Sequence, residues 1–257
     1  MKKLHLVITL GLIVLFSVIA GFDLAAQEVK RKIDTDKAKK VRTEITFPAG
    51  NLYISSNAES FCEGLYKYRH DFWKPEISYY EESETGYLDI EFEDDRNNRD
   101  FDDDDENEWI IAFNRDVRNE IEIEMIAGES EIDLQGCKLD GFRFEMVAGD
   151  SKINLKNTSV PLLEFRAVAG EAEIDLTGNW KNDLDARIKG GVGELTIRVP
   201  SEVGVKINIT GGLGDVSAPG FDKNHKVYTN DMYGKTKSSL YLDITGGIGN
   251  VDIRMEN

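Results

Sequence analysis

The sequence predicts an all-β fold: a single-stranded, right-handed β-solenoid with 21-residue coils, preceded by a degenerate strand-rich N-terminal region. Three observations lead there. Gly128, Gly149, Gly170, Gly191 and Gly212 stand 21 residues apart, and each opens a near-copy of one phrase. The copies read AGESEIDL (127–134), AGDSKINL (148–155), AGEAEIDL (169–176), GGVGELTI (190–197) and GGLGDVSA (211–218), with a sixth, GGIGNVDI (246–253), near the end. Each phrase follows a segment that alternates apolar with polar residues, the period-2 signature of a strand with one buried face. Self-similarity at a short fixed period marks a stacked repeat whose units cannot bury their apolar faces alone.

Read down the 21-residue register, the inward positions form apolar columns. One holds Ile121, Phe142, Leu163, Leu184 and Val205; another holds Ile123, Phe144, Phe165, Ala186 and Ile207. Beyond the turn the columns are Ile132, Ile153, Ile174, Leu195, Val216 and Leu134, Leu155, Leu176, Ile197, Ala218. In the outward column Glu122, Arg143, Glu164, Asp185, Lys206 opposite signs sit within reach on adjacent coils, where runs of like charge about 4.8 Å apart would repel. A right-handed path follows from the handedness of parallel crossovers. In the later copies the aliphatic residue of G-G-x-G (Val192, Leu213, Ile248) is expected to fold onto the core. No helix follows the G-x-G strings, so a phosphate-binding loop is not indicated.

The ends and insertions fill in the domain plan. Residues 1–26 read as a signal peptide, with Lys2 and Lys3 ahead of an apolar run from Leu6 to Ile19 and cleavage after Ala20 or Ala26. Residues 27–45 are Lys-rich and weakly patterned, and are expected to be a flexible basic leader. Residues 46–115 form the strand-rich N-terminal region, where AGNLYI (49–54) and GYLDI (86–90) echo the later phrases; within it, 94–108 is an acidic loop, DDRNNRDFDDDDENE. Residues 116–257 carry the coils. The 219–235 segment interrupts them as a loop insertion, and its Phe221, Tyr228 and Tyr233 suit the task of covering an open end of the core. With no further coil after Asn257, edge pairing into a homo-oligomer is open.

Composition narrows the function. The formal charge is −17, and loss of 1–26, which carries Lys2, Lys3 and Asp23, makes it −18. Such a surface repels nucleic acid and anionic lipid and suits basic partners or cations. No second apolar stretch is long enough to span a membrane after signal cleavage. Cys62 and Cys137 are the only cysteines, and export permits a disulfide between them without requiring one.

The search for chemistry yields no catalytic, cofactor-binding or metal site. After export only His70 and His225 remain, with no Cys-x-x-Cys or His-Glu-x-x-His motif. The strongest catalytic arrangement is the outward column Asp133, Asn154, Asp175 beside Glu131, Lys152 and Glu173. There, carboxylates two coils apart would stand about 9–10 Å from one another, near the upper limit of an inverting glycosidase pair. Glu129, Asp150 and Glu171 near the turn, and the Asp run, have chemistry suited to calcium, but the run lacks the spacing and central Gly of a calcium loop.

Several segments resemble one known family. NLYISS, WKPEISY, GYLDIEF, NEWIIAFN, AGESEIDL and AGDSKINL, across residues 46–218, are similar to the toast-rack family of bacterial extracytoplasmic proteins. The C-terminal coils, ending in GGIGNVDI, also resemble LiaF-like and adhesin-like domains. The resemblance implies a stacked-sheet solenoid with no assigned catalysis. The expected role is therefore a non-catalytic envelope or cell-surface scaffold that binds an envelope protein or a glycan. The alternatives are a carbohydrate-active solenoid enzyme and an envelope-stress partner of a membrane sensor.

Overall fold

Strands dominate because the chain alternates apolar and polar residues nearly throughout. The computed structural model describes residues 26–92 and 107–256; the signal-peptide expectation and most of the acidic loop 94–108 lie outside these. In chain order the strands are β1 (Gln27–Ile33), β2 (Lys40–Phe47), β3 (Asn51–Ser55), β4 (Asn57–Tyr68), β5 (Pro75–Glu82), β6 (Thr85–Phe92), β7 (Asn107–Asn114), β8 (Arg118–Asp133), β9 (Leu139–Asn154) and β10 (Leu162–Ala169). They continue as β11 (Ala172–Asp175), β12 (Leu184–Val192), β13 (Leu195–Pro200), β14 (Gly204–Leu213), β15 (Val216–Ser217), β16 (Asp222–Asn224), β17 (Val227–Thr229), β18 (Ser239–Ile248) and β19 (Val251–Glu256). Among the described residues a single 3-10 turn, Asp71–Trp73, interrupts them.

Each repeat lays down a rung with two limbs joined at a corner, and the limbs stack as two parallel ladders. In the first ladder β6, β2, the first half of β8, the first half of β9, β10, β12, β18 and β14 follow one another in parallel. In the second the order is β7, β3, the second halves of β8 and β9, β11, β13, β19 and β15. Antiparallel strands flank the N-terminal end: β5 on β6, and β4 then β1 on β7. The sheet is open and does not close into a barrel.

The core is a set of side-chain ladders between the limbs. Seven isoleucines, Ile111, Ile54, Ile132, Ile153, Ile174, Ile197 and Ile253, stack on consecutive rungs, each at most 2% exposed. Burying one such side chain contributes about 1.5–3 kcal/mol, so a column of this kind rewards every added rung. On the facing limb Phe144 and Phe165 stack with centroids 5.8 Å apart and planes 10° from parallel. Two polar residues pair in the first ladder's interior: Thr43 Oγ1 donates to Asn119 Oδ1 at 2.9 Å, and both are buried.

Four expectations are corrected. First, the 21-residue stride holds only between β8, β9 and β10/β11. From there to β12/β13 the offset is 23, since Leu163 faces Ala186 and Ile174 faces Ile197. Two extra residues in the connection that holds Trp180 cause the change; the buried indole donates to the Leu176 carbonyl at 2.8 Å. A shift of two keeps every side chain on its original face. The columns read from sequence therefore stayed apolar although their members from Leu184 onward sit elsewhere.

Second, the last repeat is not at the end of the stack. β18 and β19 lie between the 184–200 rung and the 204–217 rung: Arg187 pairs with Asp243, and Asp243 with Asn208. Within 219–235, β16 and β17 form a hairpin that pairs antiparallel with β14 through Lys206–Thr229, Ile207–Tyr228 and Asn208–Val227, so the outer edge of the last first-limb strand is covered. Tyr228 is buried and Phe221 packs against the core, while Tyr233 lies on the outer face against Tyr241. The edge-pairing route to an oligomer through the final repeat loses its basis, because that repeat is internal.

Third, residues 27–45 are not a flexible leader. β1 pairs with β4, and β2 lies between β6 and β8 with Val41, Thr43 and Ile45 buried. Its outward Lys40, Arg42 and Glu44 mask the alternation in sequence. Fourth, Val192 and Ile248 do not fold inward; they are 56% and 57% exposed. Cys62 and Cys137 are free and buried, and burial pushes both thiols up to about 12.

Two pairs of substitutions test this packing. Phe144→Asp places a charge where nothing can pair it and should cost about 4 kcal/mol in chemical denaturation, against at most about 0.5 kcal/mol for Glu122→Gln on the outer face. Gly149 has φ +132°, and a Cβ there would overlap the Gly128 carbonyl oxygen; Gly136 has φ +73° but open space around it. Gly149→Ala should therefore cost about 3 kcal/mol and Gly136→Ala about 1 kcal/mol, measured the same way.

Candidate binding surface

Backbone ladders leave side chains on three outward surfaces: two flat faces and the corner between them. On the flat faces several arginines bridge carboxylates of neighbouring rungs. Arg143 bridges two rungs, its Nη1 3.2 Å from Glu122 and its Nη2 2.8 Å from Glu164, and Arg187 reaches Glu164 at 3.1 Å. These carboxylates hold the Arg143 guanidinium above its ordinary pKa, with Glu122 the largest cause. On the second face Arg198 pairs with both Glu173 and Glu256.

The outward column that offered the strongest catalytic geometry is a ladder of turn caps. Asp133 Oδ1 accepts the Gln135 amide at 3.1 Å, Asn154 Oδ1 the Lys156 amide at 3.0 Å, and Asp175 Oδ1 the Thr177 amide at 2.8 Å. Each side chain closes the backbone two residues on, the Asx-turn chemistry that suits Asp and Asn at strand ends. Asn154 Nδ2 also donates to Asp133 Oδ1 at 3.0 Å. The column thus acts in folding.

Glu129, Asp150 and Glu171 occupy successive rungs, and Asp150 Oδ1 accepts the Glu171 amide at 2.9 Å. Among the described residues no group of three or more His, Cys, Asp or Glu side chains is placed to hold a metal ion. His70 stacks on Phe72 and meets Trp73, whereas His225 turns the β16–β17 hairpin at φ +55°. An open concavity of about 520 Å³ at Lys39, Lys40, Ser83, Glu84, Thr85 and Arg118 has two of its cations paired, Lys39 with Glu84 and Arg118 with Asp140.

The corner differs. Its backbone must approach the next rung closely, so glycine recurs there and the neighbouring residues stand outward. Ile126, Val147 and Val168 are 45%, 53% and 49% exposed on consecutive rungs; the next two rungs place Gly191 and Gly247 in that register, while Val192 and Ile248 continue the adjacent column of Ala127, Ala148 and Ala169. The two adjacent columns together form an aliphatic strip across five rungs, about 19 Å long at about 4.8 Å per rung. Single exposed apolar residues need no explanation; a contiguous run of them marks an interaction surface. The sequence reading missed this strip, although Ile126, Val147 and Val168 lie in the same 21-residue register that revealed the core.

Carboxylates border the strip. On the second-limb side stand Glu129, Asp150, Glu171, Glu194 and, beyond Asn250, Asp215, all exposed. No described lysine or arginine forms an ion pair with them. On the first-limb side the row reads Glu124, Glu145, Arg166, Lys189.

A long stack of parallel rungs joined at a glycine corner defines a repeat-built, all-β scaffold. The comparisons agree with that class. The model for the N-terminal domain of toast_rack (DUF2154) matches residues 24–162 and 142–198, and the chain belongs to the toast-rack family. The crystal structure of a "putative cell adhesion protein" from Clostridium sporogenes is similar at 30% identity and a TM-score of 0.72, covering 90% of this chain and 100% of that one. A "putative adhesin" from Bacteroides fragilis aligns over 91% of this chain and 100% of its own, but at 14% identity and a TM-score of 0.32. A comparison with curated proteins finds no match.

The crowded carboxylates of the first face predict a pH effect. Glu44 lies between Asp89 and Glu122 on adjacent strands. Partial burial first, then Asp89 and Glu122, raise its pKa. The folded state then holds this proton more tightly than the unfolded state, so its ionisation lowers stability as pH rises above the ordinary carboxylate range. Glu44→Gln should raise the melting temperature at pH 7, and the gain should vanish below about pH 4, where both forms are neutral. Thermal melts at the two pH values check this.

Proposed function

We propose that this protein is a non-catalytic, exported cell-surface module that works by adhesion, holding another macromolecule against its elongated surface. The observation that carries the reading is the exposed aliphatic strip crossing five rungs, a surface the fold itself does not cover. Rigid repeat stacks are well suited to such contacts, since they present extended surfaces without an ordering cost on binding. The similarity to the Clostridium sporogenes protein supports cell adhesion as the setting. Among the described residues no helix is long and apolar enough to cross a membrane. The leader expected at 1–26 would deliver the chain outside the cytoplasm. The outward Asp133, Asn154 and Asp175 are engaged in turns, which weakens the carbohydrate-active alternative.

Protease treatment of intact host cells should remove the protein, and a deletion strain should attach less well to a surface or to neighbouring cells, with attachment restored by the wild-type chain. Recovery of the protein from the cytoplasm, or unaltered attachment in the deletion strain, would contradict the reading.

A further inference from the structure

We propose that the corner strip is the docking site and that its occupant is a basic polypeptide surface, with aliphatic side chains flanked by lysine or arginine. This rests on the adhesion reading and assigns its partner class. The apolar part of the argument is geometric. Val147 and Val168 are about half exposed on adjacent rungs, with Ala148 and Ala169 beside them. No charged residue interrupts either of its two columns, Ile126–Val147–Val168–Gly191–Gly247 or Ala127–Ala148–Ala169–Val192–Ile248. A partner that covers it removes aliphatic surface from water, with a return of about 25 cal/mol per Å² before the costs of association.

The charge pattern selects among occupants. Around the strip stand seven carboxylates (Glu124, Glu145, Glu129, Asp150, Glu171, Glu194, Asp215) against two cations, Arg166 and Lys189. On the flat faces Arg143, Arg187 and Arg198 pair carboxylates of neighbouring rungs, whereas no described lysine or arginine pairs with the second-limb row of the corner. Those carboxylates are therefore available to an incoming cation, and in the aggregate they steer a basic partner toward the strip. An anionic bilayer would be repelled by the same row. A second copy fares poorly as well. An antiparallel pairing of two corners sets one acidic row against the other. A parallel pairing sets Glu124 and Glu145 against Glu129 and Asp150, and each chain carries a formal charge of −17.

The strip's length of about 19 Å corresponds to roughly 13 residues of helix or six of strand. A helical peptide of about 14 residues with leucine on one face and lysine on the other is therefore a suitable probe. Its controls are the same peptide with glutamate for lysine, a lysine peptide lacking leucine, phosphatidylglycerol vesicles, and sedimentation of the protein alone. Two variants of the full chain carry changes only on exposed side chains: Val147→Ser with Val168→Ser and Val192→Ser, and Asp150→Asn with Glu171→Gln and Glu194→Gln. Asp150→Asn retains the oxygen that accepts the Glu171 amide.

The leucine–lysine peptide should bind the wild-type chain, and each triple variant should weaken it at least about tenfold while melting within a few degrees of wild type. Raising salt from about 0.05 M to about 0.5 M should weaken the wild-type complex more than that of the carboxylate variant. Equal binding of the glutamate peptide, binding of vesicles in place of peptide, a dimer that the valine variant abolishes, or unchanged affinity in both variants would each overturn the proposal. Failure of the attachment phenotype alongside intact peptide binding would instead strike the adhesion reading.

Discussion

Close approach of successive backbones at the corner governs this structure. Gly50, Gly128, Gly149, Gly170, Gly193, Gly249 and Gly214 form a continuous file in which a Cβ on each later member would overlap the carbonyl oxygen of the one before. Their φ values from Gly50 to Gly249 lie between +108° and +144°. Only glycine tolerates both the contact and the conformation cheaply. The file fixes where each rung bends, and hence which residues point into the core. Its order also records the order of rungs: Gly249 sits against Gly193, and Gly214 against Gly249.

Much of this was readable in the sequence, for a reason particular to β-structure. Alternation has a period of two, so inward and outward assignments survive any even error of register. Phe144, Leu163 and Ile174 were placed correctly, and Leu184 and Leu195 were recognised as interior although assigned to the wrong neighbours. The G-G-x-G phrase supplied the misleading cue. Two glycines lie within it, and the 21-residue interval picks out Gly191 when the corner glycine is Gly193. The two additional residues near Trp180 carry no hydrophobic signal of their own.

The position of the final repeat was not legible, because strand order among similar rungs is a non-local property. GGIGNVDI fits equally well against either neighbour by its own composition. Its placement depends on how the 219–235 segment runs, and that segment forms an edge hairpin before the chain returns. The N-terminal strands were hidden differently. β2 presents Lys40, Arg42 and Glu44 to solvent, and this charge obscured Val41, Thr43 and Ile45. The corner strip went unnoticed because residues flanking a glycine turn have no fixed face until the turn's geometry is known. The same close approach that demands glycine pushes Ile126, Val147 and Val168 into solvent, which connects the fold's main constraint to its candidate function.

Amide-to-amide nuclear Overhauser contacts across the first ladder test the rung order most directly. Arg187 should show contacts to Asp243, and Asp243 to Asn208, with none between Arg187 and Asn208, which lie two rungs or about 9–10 Å apart. Direct contacts between the 184–192 and 204–213 segments, with Asp243 reporting only one neighbouring strand, would show that the repeats stack in chain order and would contradict the arrangement described.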